Sequence, residues 1–160
     1  MLAKSAMPAI FPIENLEIHV THSCNLACES CSHYSNHGHK GMLALSEAER
    51  WMEQWNQRVC PSQFSLVGGE PSLHPQLGDF IRLASRMWKH SELRIVTNGF
   101  FLHRHPDLPQ ILKETAACLY LSIHQDSLQY RERIRPIQEL VKSWEQEYGI
   151  KTKYYQSYSH

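Results

Sequence analysis

Three cysteines in the segment THSCNLACESCSHY form a C-x-x-x-C-x-x-C arrangement of Cys24, Cys28 and Cys31. Thiolates are soft ligands that suit zinc or an iron-sulfur cluster, and these spacings in a loop let all three point at one centre. Three thiolates on a four-iron cluster would leave one iron without a protein ligand, and a catalytic centre needs such an open position. The pattern therefore predicts a metal centre that can do chemistry.

A structural zinc site is the alternative that the cysteines alone leave open. Histidines are dense around them, and a fourth ligand could come from His22, His33, His37 or His39, which would close a tetrahedral site. Such a zinc-stabilised module, or a degenerate domain that binds a partner, would be noncatalytic. The two hypotheses differ in the metal that they require.

Further candidate residues stand at the ends of later strand-like runs. Gly68-Gly69-Glu70-Pro71 ends one run; its glycines let the backbone approach a ligand closely, and Glu70 can accept hydrogen bonds from an ammonium group. Thr97-Asn98-Gly99 ends the next run in a typical turn sequence. In the run LSIH, strand alternation directs Ser122 and His124 to the same face.

The elements that position these residues can be read from hydrophobic periodicity. Five runs are typical of strands: LEIHV at 16–20, FSLV at 64–67, LRIVT at 93–97, CLYLSI at 118–123 and KTKYY at 151–155. Helical patterns alternate with them. The first covers 45–59 and opens with a capping box of Ser46 and Glu49. The last is predicted to begin at Pro136 and to end at Gly149.

Repeated strand-helix-strand alternation predicts an α/β fold with a parallel sheet, in which chemistry gathers at the carboxyl ends of the strands. All the candidate residues above follow strands. The last strand, near the end of the 160-residue sequence, has no helix after it. A parallel barrel cannot close with an unpaired strand edge there, so we expect a further segment to complete the sheet.

Composition excludes several classes of function. Sixteen basic and sixteen acidic side chains balance, and no basic run marks a surface for nucleic acid or for an anionic membrane. No apolar run is long enough to span a bilayer. Five cysteines, three of them clustered, fit metal binding in a reducing compartment, most simply the cytoplasm. For Cys60 and Cys118 the prediction is burial as small apolar side chains.

The cysteine motif after the first strand, followed by GGEP after the second, resembles the radical S-adenosylmethionine (radical SAM) superfamily. The resemblance covers roughly residues 15–158 and implies a partial (β/α)6 TIM-like barrel, of which about five strands are present and the C-terminal part is missing. Residues 1–160 would then be the core domain, with 1–14 as a lead-in. The wording C-x-x-C-S-H is similar to that of members with C-terminal auxiliary-cluster domains, so the sequence is expected to be a truncated member of that subgroup.

The resemblance also implies cofactors and roles. A 4Fe-4S cluster on the three cysteines would reductively cleave S-adenosylmethionine to a 5'-deoxyadenosyl radical, which abstracts hydrogen from an organic or peptide substrate. An electron donor such as a flavodoxin or ferredoxin would be a partner. Gly68, Gly69, Glu70 and Pro71 would bind the cofactor's amino group, Thr97 and Asn98 would line its side of the barrel, and Ser122 with Arg133 or Arg135 would hold its carboxylate or ribose.

Overall fold

The computed structural model describes residues 10–156, which form one five-stranded parallel sheet in the order β1-β2-β3-β4-β5. The strands are β1 (Phe11–Thr21), β2 (Val59–Gly68), β3 (Glu92–Thr97), β4 (Cys118–Ile123) and β5 (Lys151–Gln156). The helices are α1 (Leu45–Trp55), α2 (Leu77–Met87), α3 (Leu108–Thr115) and α4 (Leu128–Tyr148), one in each connection. The expected α/β alternation is confirmed.

The core lies between one face of the sheet and the helices. Phe64, Leu66, Ile95 and Leu119 occupy this face in register across β2, β3 and β4, and each is at most 1% exposed. The opposite face carries a polar network near the start of the strands. There Arg94 bonds to Gln63 and Glu92, while Lys153 bonds to Glu92 and Tyr120. One apolar face per strand, with helices on that side only, gives the layered arrangement expected for a partial barrel.

Several boundaries differ from the sequence predictions. Ala44 precedes α1 without a side-chain cap, so the capping box of Ser46 and Glu49 does not form. The same helix ends at Trp55, and Val59 already belongs to β2, which leaves Cys60 exposed on that strand. The prediction that Cys60 is buried was therefore wrong.

The last helix also begins earlier than predicted. Ser127 caps α4 by accepting a hydrogen bond from the Tyr130 backbone at 3.2 Å, and Pro136 lies inside the helix instead of starting it. Proline there removes one backbone donor, but Pro136 and the preceding turn at Glu132 are exposed, so water can hydrate the freed carbonyl. Gly149 ends the helix at a φ of 67°, as predicted, because glycine has no Cβ to clash in the left-handed region.

The burial of Cys118 on β4 is confirmed. Within residues 10–156, none of the helices combines the length and apolar character that crossing a membrane requires.

Candidate functional site

The three cysteines of the motif lie in the loop after β1, and all are free, partly buried thiols. They line one cavity of about 220 Å³. The other residues around this cavity come from the same loop and from the ends of β2 to β5, and they are Leu26, Ser30, Ser32, His33, Val67, Gly68, Gly69, Glu70, Val96, Thr97, Asn98, Ser122, His124 and Tyr155. The sheet thus brings together nearly all the residues that the sequence singled out.

The spacing of the cysteine sulfurs bears on the choice of metal. Four ligands around one zinc ion at about 2.3 Å from sulfur lie roughly 4 Å apart. Within residues 10–156, however, the three sulfurs do not form a group whose atoms all lie within 4.8 Å, either with one another or with a nearby histidine. Because thiol side chains can rotate when a metal binds, this spacing does not by itself select between zinc and a larger cluster.

Burial raises the pKa of the Cys24 and Cys28 thiols above their ordinary value, and the neighbouring thiol groups add to the shift. A metal that binds these sulfurs must therefore displace their protons. Asn98 Nδ2 and the backbone N–H of Leu26 approach Cys24 Sγ at 4.0 and 3.4 Å, so polar hydrogens already face that sulfur.

Gly68 and Gly69 are required by a close approach of protein backbone. A Cβ on Gly68 would lie 2.3 Å from the Thr21 carbonyl oxygen, and one on Gly69 would lie 2.2 Å from that of Ser23. The backbone N–H groups of Gly69 and Glu70 donate to these same two oxygens at 2.8 Å. The two glycines therefore allow the end of β2 to approach and hydrogen-bond to the start of the cysteine loop. The sequence did not reveal this role.

The Glu70 carboxylate is almost fully buried, at 1% exposure, and every donor that it meets comes from the protein. Oε1 accepts from the Ser72 N–H at 2.9 Å and from the hydroxyls of Ser72 and Thr97, and Oε2 accepts from the Asn98 N–H at 2.7 Å. Burial raises the pKa of Glu70, and these hydrogen bonds oppose the shift. These contacts tie the end of β2 to the end of β3, and the expected contact of Glu70 with an ammonium group stays a prediction.

Thr97 and Asn98 at the end of β3 complete this connection. Besides its bond to Glu70, Thr97 Oγ1 accepts from the Gly99 N–H at 2.9 Å and so shapes the turn. The Asn98 side chain donates to Asn25 Oδ1 in the cysteine loop at 2.8 Å. Both residues are buried, at 2% and 3% exposure, and they support the loop from the β3 side.

The end of β4 contributes Ser122 and His124 to the cavity, as strand alternation predicted. Burial lowers the pKa of His124, which favours the neutral imidazole. Three further residues lie beside them, and of these the sequence had indicated only His33, as a possible zinc ligand. His33 and Tyr155 line the cavity, and the Tyr130 hydroxyl accepts from the His124 backbone N–H at 3.3 Å. Tyr155 was missed because its position in the cavity depends on β5 pairing beside β4.

The two candidate arginines lie on α4. Arg135 is exposed and lines a separate depression with Lys142 and Tyr154, so the structure does not bring it into the cavity. Arg133 instead stacks over the ring of Phe100 at 4.9 Å. The early start of α4 explains the difference, because it places Arg135 in the helix interior and not at the helix start.

Comparison with known proteins shows, independently of the geometry of the site, which family this chain resembles. The model of the radical SAM superfamily matches residues 18–154. A GTP 3',8-cyclase of Stenotrophomonas maltophilia is 32% identical over 124 residues, which are 76% of this chain and 36% of that protein. A GTP 3',8-cyclase of Shewanella denitrificans is 30% identical over 92 residues, or 56% and 27% of the two chains. The chain therefore spans about a third or less of these relatives.

Solved structures share the fold at lower identity. BtrN in complex with AdoMet and 2-DOIA superposes with a TM-score of 0.62 at 20% identity, covering 94% of this chain and 58% of that one. Native anSMEcpe with bound AdoMet and the Cp18Cys peptide gives a TM-score of 0.66 at 16% identity, covering 89% and 42%. Since the superfamily model matches the chain from within β1 to within β5 and includes the cysteine loop, this chain belongs to the radical SAM superfamily.

Proposed function

We propose that the chain is the core domain of a radical SAM enzyme, which binds a 4Fe-4S cluster through Cys24, Cys28 and Cys31 and S-adenosylmethionine in the adjoining cavity. One observation carries the proposal: the three cysteines share a single cavity with the ends of β2, β3 and β4. The superfamily match and the AdoMet bound in two structural neighbours support it.

When bound, the cluster would supply the electron that cleaves the sulfonium of S-adenosylmethionine and releases a 5'-deoxyadenosyl radical. The protein's part is to position the reactants and to keep water away. Val67 and Val96 give the cavity an apolar wall, which limits the water beside a reactive species. Ser122 and His124 add hydrogen-bonding groups to the lining of the same cavity.

The methionine ammonium group would be bound by the Gly68–Pro71 turn. Because protein donors already engage the Glu70 carboxylate, we infer that the backbone carbonyls of this turn supply the direct hydrogen bonds. Glu70 would act through its buried charge, whose attraction for a cation is strong in a poorly solvated site. In this proposal Thr97 and Asn98 hold the turn and the cysteine loop together. Arg135 would bind the carboxylate only if the N-terminal half of α4 moved.

The substrate is proposed here only as a broad chemical class. The curated relatives act on GTP, and one structural neighbour carries a peptide. We propose an organic or peptide substrate, and a flavodoxin or ferredoxin as electron donor. As the chain spans 27% and 36% of the two curated relatives, the rest of such a protein would complete the substrate site.

Anaerobic reconstitution with iron and sulfide tests the proposal. We expect about four irons per chain, and an electron paramagnetic resonance signal of the reduced cluster that changes when S-adenosylmethionine is added. Cys28→Ala should lose the signal and the formation of 5'-deoxyadenosine with a strong reductant. Cys60→Ala is the matched control, because Cys60 is exposed on β2 and far from the loop in sequence.

Two outcomes would overturn the proposal. One is that the native chain holds zinc and takes up no iron. The other is a reduced cluster whose spectrum ignores S-adenosylmethionine, which would favour a noncatalytic metal-binding module.

A further inference from the structure

A second group of metal-binding side chains lies beside the cysteine loop but does not include the cysteines. Glu17, His19 and His33 each offer one ligand atom, and these three atoms all lie within 4.8 Å of one another. Glu17 and His19 are alternate residues of β1, so strand geometry directs them to the same face. His33 follows the last cysteine of the motif, and its side chain lies close to those of Glu17 and His19.

The ligand types form a set with clear metal preferences. Two imidazoles and one carboxylate suit divalent first-row transition metals such as Fe²⁺, Co²⁺ or Zn²⁺, and three protein ligands leave positions open. Bonds of about 2.0–2.2 Å bring such ligand atoms to roughly 3 Å apart. Exposed Glu17 and half-buried His33 can make this adjustment by rotating their side chains.

The surroundings favour metal binding over a purely structural cluster. The rings of His19 and His33 meet edge to face at 4.6 Å, and His22 lies 5.9 Å from His19. No hydrogen bond from residues 10–156 reaches the ring nitrogens of His19 or His33, so their lone pairs are available. Glu17 Oε1 accepts from Asn15 Nδ2 at 3.0 Å, which is the kind of outer contact that orients a ligating carboxylate.

We propose that Glu17, His19 and His33 bind one divalent transition-metal ion, separate from the metal centre on the cysteines. Because His33 also lines the cavity, the open positions of this ion would lie at the mouth of the cavity. The proposal does not depend on the assignment of the cysteines to a 4Fe-4S cluster. Either site can be present without the other.

Cobalt(II) is the probe, because its absorption distinguishes thiolate ligands from nitrogen and oxygen ligands. The first arm uses the full chain with its cysteines occupied by the reconstituted cluster, and measures bound cobalt by equilibrium dialysis. The second arm uses the chain in which Cys24, Cys28 and Cys31 are replaced by alanine, and records the cobalt spectrum. We expect one cobalt per chain in both arms, with ligand-field bands and no thiolate charge-transfer band in the second.

Variants in both arms assign the site. We expect His19→Ala to weaken cobalt binding at least tenfold, since losing even an outer contact of a metal ligand costs about 10–100-fold. Glu17→Gln should also weaken it. His90→Ala is the control, because His90 is exposed beside β3 at the other end of the strands. His19→Gln, with an unchanged circular dichroism spectrum, separates loss of a ligand from loss of the fold.

The proposal is overturned if neither arm binds stoichiometric cobalt, or if His19→Ala and His90→Ala bind it equally well. Iron content and the response to S-adenosylmethionine are read separately in the first arm. A failure there would count against the proposed enzyme and leave the cobalt result standing.

Discussion

Replacing Glu70 by glutamine tests whether this residue holds two strand ends together. Each carboxylate oxygen faces a backbone N–H that cannot rotate away: Ser72 N–H at 2.9 Å from Oε1 and Asn98 N–H at 2.7 Å from Oε2. Glutamine keeps one oxygen and gains an NH₂ group. Whichever way the amide is turned, a donor therefore faces a backbone donor in a buried site.

The cost follows from what is lost. A hydrogen bond to a charged group contributes about 1.5–3 kcal/mol, and a buried donor left without a partner costs about 1–3 kcal/mol. Removing the charge offsets part of this loss of stability, because burial disfavours the charged carboxylate and raises the pKa of Glu70. The expected net loss in the free energy of unfolding is about 3 kcal/mol. For a domain of this size that is a fall in melting temperature of roughly 6–12 °C.

Urea denaturation of the metal-free chain at neutral pH, followed by circular dichroism, measures this loss. Glu53→Gln on the exposed side of α1 makes the same chemical change without the contacts, and should stay within about 0.5 kcal/mol of the native chain. If Glu70→Gln were as stable as Glu53→Gln, the carboxylate would not join the two strands. A direct contact between Glu70 and an ammonium group would then be the better explanation of its position.

Two further substitutions test the contacts around the sheet. Gly69→Ala should prevent uptake of iron, because its Cβ would press to within 2.2 Å of the Ser23 carbonyl oxygen next to the first cysteine. Gly78→Ala, whose Cβ meets only side chains, should keep iron uptake, and equal iron content in both variants would refute the argument. The hydrogen bond from Arg94 lowers the pKa of Glu92 to about 2 from an ordinary 4.5. The charged form is thus favoured in the fold, so the stabilisation is present above pH 4.5 and is lost as the pH falls towards 2. Since Glu92 is 40% exposed, Glu92→Gln should cost only about 1 kcal/mol in urea unfolding at pH 7, and the difference should shrink at pH 3.5. A pH-independent difference would contradict the pairing.

The fold could be predicted well because the two sequence patterns that indicate it, apolar strand runs and helical stripes, are both local. Strand runs and helical stripes alternate, so a parallel sheet follows, and the bounds of β4 agree with the prediction at both ends. Parallel strands then place every segment that follows a strand at one edge of the sheet. That rule alone brought the cysteine loop, GGEP and Ser122 together.

The predictions that failed needed information from other elements. Cys60 follows a helical stripe in sequence, but β2 takes over its segment because pairing with the long strand β1 extends as far as Val59. Pro136 is a typical helix start, yet the capping of Tyr130 by Ser127 begins α4 earlier. This shift moved Arg135 away from the cavity. Tertiary pairing and a more favourable cap each overrode a correct local preference.

The contacts of the glycines and Glu70 could not have been found from sequence, because they form a closed path through three segments. Ser23 and Asn25 flank Cys24 in the loop. The Glu70 N–H donates to the Ser23 carbonyl at 2.8 Å, the Glu70 carboxylate accepts from the Asn98 N–H, and the Asn98 side chain donates to Asn25. The path therefore leaves the loop on one side of Cys24 and returns on the other.

This path means that the first cysteine is held before any metal binds. Its two neighbours are fixed to β2 and to β3, so the position of Cys24 is set by the sheet itself. A site whose ligands are positioned by rigid elements does not have to order them when the metal arrives. The GGEP and TNG segments therefore support the cysteines as much as any cofactor beside them. The effect of substitutions in these segments should be measured first as iron content and only then as catalytic activity.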